Sequence, residues 1–412
     1  MKNLVILTTS FPYEGGEQFI ESEVHYWAMK NFDNVYILPE ISSTKTIRYF
    51  PKELILLQRL KITFNSKIFI LFFILFYSLF WREIFYLIKN NCFNTVNIIN
   101  AIRTVVGVKV REKQLKYSLK KIDGDTLIYS YWNDVDFYAA CELKKKKKIK
   151  IVVSRAHRYD LYKEFRENSY MPLKHQYSKV VDKVFLLTES AKKYYSRTYE
   201  YSNNVLDVAR LGVFMPEKIL PYDKSSNVLR VLSVSNCIKI KRVDKIINAL
   251  NNFSEVKKKE VHWTHVGNGV LLEELKQQAR EVDGNRLFKY NFLGFLPNSE
   301  VKKLLAEQSF DLFINTSESE GVPVSIMEAM SYSIPVIAPN VGEISDIVNS
   351  STGKLLSSNP AIKEIVDGIC EVYSSKDYKS YRKRAFLMVK ENYNADINYA
   401  NFINKLSQIE YE

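Results

Sequence analysis

Short runs of β-branched and other apolar residues recur along this chain, each followed by a polar turn and then by apolar positions at helical spacing. In the first half the runs are Leu4–Leu7, Val35–Leu38, Thr126–Tyr131, Ile149–Val153 and Val184–Leu187; in the second they are Val228–Val234, Val261–Val266, Phe310–Asn315 and Pro335–Ala338. Strands alternating with helices predict a parallel α/β sheet in each half, because a parallel neighbour is reached only through a crossover. Pro216, Pro221, Ser225 and Ser226 mark a linker between the halves. The expected organisation is a first α/β domain over 1–220, a second over 221–390, and a C-terminal helix over 391–412 that can return to the first.

One stretch departs from this rhythm. From Ile68 to Trp81 the only polar residue is Ser78, too short a run for a bilayer core that needs about 20 apolar residues. It reads either as a buried helix or as an interfacial segment, since aromatics crowd it and Lys61, Lys67, Arg82 and Lys89 flank it. The wider segment 68–88 is therefore the expected membrane-contacting part of the first domain. The N-terminal apolar stretch is only Leu4–Leu7, a first strand and not a secretory signal, which predicts a cytoplasmic protein. Cys92, Cys141, Cys237 and Cys370 lie far apart, without a CxxC pair, against a disulfide framework or a zinc site. A formal charge of +13 implies an anionic partner. The run Lys144–Lys148 reads as a solvated helix end, or more sharply as a surface for anionic lipid.

The candidate chemistry concentrates in Asp311–Asn340, which reads as strand, polar loop, helix and Pro-led strand. Its Glu320, Gly321, Pro323, Glu328 and Ala329 form E-G-x-P-x-x-x-x-E-A, with seven residues between the glutamates. Gly321 lets backbone N–H groups approach a ligand, and the following helix N-terminus favours phosphate. A local alternative exists for Glu328, because Ser325 and Glu328 also fit a capping box. The pattern resembles that of the family 4 retaining glycosyltransferases, in particular those that assemble bacterial polysaccharides. The resemblance implies a GT-B fold of two Rossmann-like domains facing each other across a cleft. It further implies a nucleotide-sugar donor, a glycan or lipid-linked glycan acceptor, and no cofactor or metal. Glu320 would then contact the donor sugar, Glu328 the ribose, and Gly321, Val322 and Pro323 the diphosphate.

Other segments fit the same resemblance. In Ser233–Ala249, Lys241 falls on the lysine of R-x-x-x-x-K-G-V-D, a compact charge for a leaving diphosphate; Asn236 stands where arginine is common and Arg242 where glycine is usual. Gly267 and Gly269 form a G-x-G turn after a strand, and Gly294 and Phe295 are candidates for seating the base. Gly342 and Glu343 occupy a G-G turn whose second glycine is replaced. In the first half, Gly15 and Gly16 follow the first strand, and Arg155–Asp160 resembles R-A-H-G-x-D, which assigns His157 to the reacting sugar. His25, His175, His262 and His265 lack such support.

Rival readings are a metal-dependent GT-A-like transferase using Asp134 and Asp136 as a D-x-D pair, another GT-B enzyme such as an epimerase or phosphorylase, and a non-catalytic protein that binds anionic ligands or membranes. Nucleic-acid binding has no motif behind it, only charge.

Overall fold

The structure, a computed structural model, describes residues 2–13, 17–29, 31–41, 47–222, 227–282 and 284–409. The chain divides into two compact units, Met1–Arg210 with Tyr399–Glu412, and Leu211–Asn398. In the first, β1 (Lys2–Thr8), β2 (Asn34–Pro39), β3 (Leu54–Leu56), β4 (Asp125–Ser130), β5 (Ile151–Arg155), β6 (Lys183–Leu186) and β7 (Leu206–Val208) form one parallel sheet in the order β3-β2-β1-β4-β5-β6-β7.

Period-2 alternation loads both faces of this sheet. Val5, Leu7, Ile128, Val152, Val184 and Leu186 pack on one side with Val105, Val108 and Leu115 of the helix Thr95–Leu119 and with Phe137 of the helix Val135–Lys145. Leu4, Ile6, Leu127, Tyr129, Ile151, Val153 and Phe185 pack on the other with Trp27, Phe402, Ile403 and Leu406. Strands buried on both faces read as near-continuous apolar runs, which is why these were visible in the sequence.

The second unit repeats the plan with β8 (Val228–Val234), β9 (Glu260–Val266), β10 (Phe288–Phe292), β11 (Leu312–Ile314), β12 (Val336–Pro339) and β13 (Gly353–Leu356), all parallel, in the order β10-β9-β8-β11-β12-β13. Leu229, Val231, Val261, Trp263, Leu312 and Ile314 bury one face beneath the helices Val243–Lys257 and Ile362–Tyr373. In each sheet two central neighbours send their connections in opposite directions: β1 and β4 in the first, β8 and β11 in the second. Ligands of open α/β sheets bind beyond the carboxyl ends of strands at such switch points.

The units part at Arg210, ahead of the Pro216–Asn227 stretch. Val213 is tied to the second unit by backbone hydrogen bonds with Tyr393 and Ala395, so residues before the prolines already belong there. Residues 223–226 of that stretch lie outside the described residues. The last helix, Ala395–Ser407, joins the first unit from Tyr399 onward through Phe402, Ile403 and Leu406.

The apolar segment is not one helix. It breaks into the helix Phe64–Phe72, a 3-10 turn Ile74–Phe76 and the helix Ser78–Lys89. Nor is it a buried helix: Ile70, Ile74, Leu79, Phe80 and Leu87 are buried, while Phe64, Phe69, Phe72, Leu75, Phe76, Trp81, Phe85 and Ile88 are exposed. No described helix is long and apolar enough to cross a membrane. The lysine run lies at the end of the helix Val135–Lys145, where cations complement the helix dipole; Lys144, Lys145 and Lys146 pair with Asp182, Glu142 and Glu112.

Candidate functional site

In the second unit, the loops after β8 and β11 are laced together at the switch point. The Glu318 N–H donates to the Ile240 carbonyl at 2.8 Å, and Thr316 Oγ1 donates to the carbonyls of Arg242 at 2.8 Å and Lys241 at 3.2 Å. This lacing brings Lys241 Nζ to 2.6 Å from Glu320 Oε1, which also accepts from Asn315 Nδ2 at 3.1 Å. Lys241 and Glu320, 79 residues apart, thus form one half-buried ion pair. Such a pair holds each charge ready for exchange: the ammonium for a ligand anion, the carboxylate for ligand hydroxyls.

Backbone geometry fixes both partners. Gly342, at φ +55, lies so close to the Glu320 carbonyl that a Cβ there would sit 1.9 Å from its oxygen. Gly267, at φ +152, leaves a Cβ only 1.8 Å from the Ser235 carbonyl, which seats the loop after β9 against the loop after β8, and its N–H donates to Gly294 O at 2.8 Å, binding it to the loop after β10. Gly269 closes on Cys237 in the same way. Arg242, standing at the glycine position, adopts φ +49 at the start of the helix Val243–Lys257, the left-handed conformation that glycine takes without cost. Its guanidinium is held by Glu318 at 2.8 Å and Asp244 at 3.0 Å.

The helix Val324–Ser331 begins after Pro323, which is its N-cap. Ser325 is therefore inside the first turn, and the capping-box reading of Glu328 falls. Glu328 instead accepts from Asn298 Nδ2 at 2.6 Å, across to the start of the helix Asn298–Glu307. Burial pushes the Glu328 carboxyl upward, opposed by that hydrogen bond. Val322 and Pro323 are buried, Gly321 is half-buried, and Asn236 and Phe295 are exposed. Glu343 is buried beside Gly342. His265 is a core residue, bonded to Ser233 Oγ at 2.8 Å.

The first unit has its own polar cluster beyond β1, β4 and β5. Gly15 and Gly16 lie outside the described residues. The adjacent Glu17, at φ +57, places its carboxylate among the N–H groups of Thr9, Ser10 and Phe11 at 2.7–2.9 Å and the Trp132 indole N–H at 2.6 Å. A backbone nest of the kind that binds anions is thereby filled by the chain itself.

His157 follows β5, buried, with its ring stacked on Tyr131 at 4.9 Å and tilted against Trp132 at 4.8 Å. Among the described residues neither ring nitrogen has a hydrogen-bond partner, and burial, reinforced by Arg155, holds the imidazole well below its ordinary pKa, so it is neutral. Its backbone N–H donates to Asp160 at 2.6 Å, and Asp160 also accepts from Asn133 N at 2.5 Å. Beneath them Lys174, buried, donates to Asn133 O and Oδ1 at 2.6 and 2.7 Å and to the Asp160 carbonyl; burial lowers its pKa to about 8. Arg155 and Glu23, both fully buried, pair at 2.7 Å.

The D-x-D pair does not stand open. Asp136 is gripped by both Arg59 nitrogens at 2.6 Å. Asp134 caps the helix Val135–Lys145 and is pushed up to about 7 by burial and then by Asp136 and Asp160. Among the described residues no three His, Cys, Asp or Glu side chains cluster as metal ligands. The sequence did not single out Asn298, Asn315, Glu17 and Lys174: Asn298 and Lys174 act through partners distant along the chain, and Asn315 and Glu17 through loop conformations that no residue spacing marks.

Residues 217–387 match the family described as glycosyl transferases group 1. The O-antigen biosynthesis glycosyltransferase WbnH of Escherichia coli is 29% identical over 168 residues, covering 40% of this chain and 44% of that protein. The chain matches about half the length or less of such curated relatives. The lipopolysaccharide outer core galactosyltransferase WaaB in its apo form aligns over 98% of this chain and 99% of its own with TM-score 0.70 and 17% identity. Anabaena HepE in complex with UDP aligns over 99% of this chain and all of its own, with TM-score 0.65 and 13% identity. The fold is therefore GT-B, two parallel sheets flanked by helices, which removes the single-sheet GT-A alternative.

Proposed function

We propose that this chain, whose residues 217–387 match the group 1 glycosyl transferases, is a retaining transferase. It moves a sugar from a nucleotide-sugar donor to a glycan or lipid-linked glycan in polysaccharide assembly. The observation that carries the reading is the Lys241–Glu320 pair at the switch point of the second sheet. On this reading the donor diphosphate takes the place of Glu320 beside Lys241. The N-terminus of the helix Val324–Ser331 adds its positive end to the same phosphates. Charge that develops on the departing diphosphate is then met by fixed donors, without a divalent cation. Glu320, released from the lysine, accepts hydroxyl hydrogen bonds of the donor sugar, and Glu328 those of the ribose. His157 offers the sugar an uncharged imidazole whose nitrogens have no partner among the described residues.

The UDP complex of a protein with the same fold supports the nucleotide part of the reading, and the O-antigen role named for WbnH supports the polysaccharide part. The four free cysteines suit a reducing cytoplasm. Glu320→Gln keeps the shape of the side chain and removes its charge. Turnover with a nucleotide-sugar donor is expected to fall by roughly 10²–10³, with thermal unfolding little changed and the product anomer retained by NMR. A well-folded Glu320→Gln enzyme at full rate, or an inverted product, refutes the assignment.

A further inference from the structure

The exposed face of residues 64–89 is crowded with large apolar and aromatic side chains. On the helix Ser78–Lys89, Leu79, Phe80, Glu83 and Leu87 face inward, whereas Trp81, Phe85 and Ile88, at i, i+4 and i+7, are 53%, 68% and 56% exposed. The end of the preceding helix adds Phe72 at 77%, and the turn adds Phe76 at 79%. Their rings lean on Phe73, at 5.4 and 5.7 Å. Trp81 Nε1 donates to Leu75 O at 2.7 Å, locking turn and helix into one rigid ledge. Contiguous apolar patches of this kind mark interaction surfaces.

The exposed charges within residues 61–89 have one sign. Between Lys61 and Lys89 the only carboxylate is Glu83, and it is fully buried, accepting from Tyr170, Leu173 N and Gln176. Lys61, Lys67, Arg82 and Lys89 are exposed. Beside the ledge lies a groove of about 610 Å³ whose lining includes Phe69, Tyr77, Lys109, Lys113, Lys116 and Lys146. Against these four lysines stands one lining carboxylate, Glu112.

We propose that this ledge and lysine groove form a docking surface for an anionic bilayer, with Phe72, Phe76, Trp81 and Phe85 entering the headgroup–acyl boundary and the lysines meeting lipid phosphates. A protein partner is answered by mixed charge at its rim, whereas uniformly basic flanks around protruding aromatics fit a negative lipid surface. The two short helices lie on such a surface; neither reaches across it. The surface belongs wholly to the first unit and does not depend on the chemistry assigned to the second.

Sedimentation with vesicles of phosphatidylglycerol, phosphatidylcholine and their mixtures tests this. Wild type is expected to pellet with phosphatidylglycerol vesicles, less so as salt rises, and to remain in solution with phosphatidylcholine alone. Phe72→Asp with Phe76→Asp, both at exposed rings, should reduce partition at least tenfold without shifting thermal unfolding. Lys113→Glu with Lys116→Glu should reduce it by roughly fivefold or more per lysine lost and spare donor hydrolysis. Wild type that stays in solution with pure phosphatidylglycerol overturns the proposal. So does a wild-type dimer that the aspartate variant converts to a monomer while vesicle binding persists, since the ledge then serves a second copy. Loss of donor hydrolysis in Glu320→Gln with sedimentation unchanged separates this surface from the transferase site.

Discussion

Gly342→Ala is expected to damage catalysis as well as stability. The added Cβ would fall 1.9 Å from the Glu320 carbonyl oxygen and 2.8 Å from its carbon, where real contacts do not go below 3.0 Å. The two segments must therefore separate by about 1 Å, and an alanine at φ +55 adds the left-handed penalty of about 1–2 kcal/mol. With overpacking of about 1–3 kcal/mol, the fold should lose roughly 2–5 kcal/mol. The displaced segment is the one that carries the Glu320 carboxylate to Lys241. A misplacement of about 1 Å costs on the order of a hundredfold in rate. Urea unfolding gives the first number, and donor hydrolysis, measured well below the unfolding transition, gives the second. Gly284→Ala serves as the control, since no atom lies within 4 Å of its Cβ position, and it should change neither. If Gly342→Ala unfolds with wild type and turns over within twofold of it, the close approach is not a constraint and the reasoning fails.

Lys241→Ala should weaken binding of the nucleoside diphosphate product by calorimetry while leaving turnover insensitive to EDTA; a rate abolished by EDTA and restored by manganese would turn the case toward a metal-held diphosphate. Asp134 links stability to pH. Its folded pKa of about 7 exceeds the ordinary 3.8, so as pH rises from about 4 the unfolded chain releases this proton first, and the fold loses stability until about pH 7. Asp134→Asn should therefore melt above wild type at pH 8 and close the gap toward pH 4; a gap independent of pH excludes the linkage. Glu23→Ala strands the buried Arg155 guanidinium and should cost about 3–5 kcal/mol in urea unfolding, a figure that a loss below 1 kcal/mol contradicts.

The sequence showed the central strands because their two buried faces leave unbroken apolar runs, as in Leu4–Leu7. It did not show β3, β7, β10 and β13, the outer strands of the two sheets. Leu54–Leu56 and Leu206–Val208 are three residues long, and Phe288–Phe292 buries only Phe288 fully. The juxtaposition of Lys241 and Glu320 was legible through motifs that a family resemblance joins. The Glu328–Asn298 bond and the Glu17 nest were not, because each rests on side chains brought together by folding or on a backbone conformation without a pattern. The segment 64–89 defeated periodicity for a different reason. Apolar residues on every side of a helix leave no polar face to say which way it turns.

The path of the chain has a consequence for synthesis. Phe402 stacks over the Arg155 guanidinium at 3.9 Å and edges against Phe185 and Tyr129 at 5.1 and 5.2 Å. It leaves the ribosome after the whole of the second unit. Until then the first sheet lacks the lid over one face, and the ionic pair of Arg155 and Glu23 has no apolar roof above it. The first unit is thus begun first and finished last, and a nascent chain halted before residue 399 carries an open core.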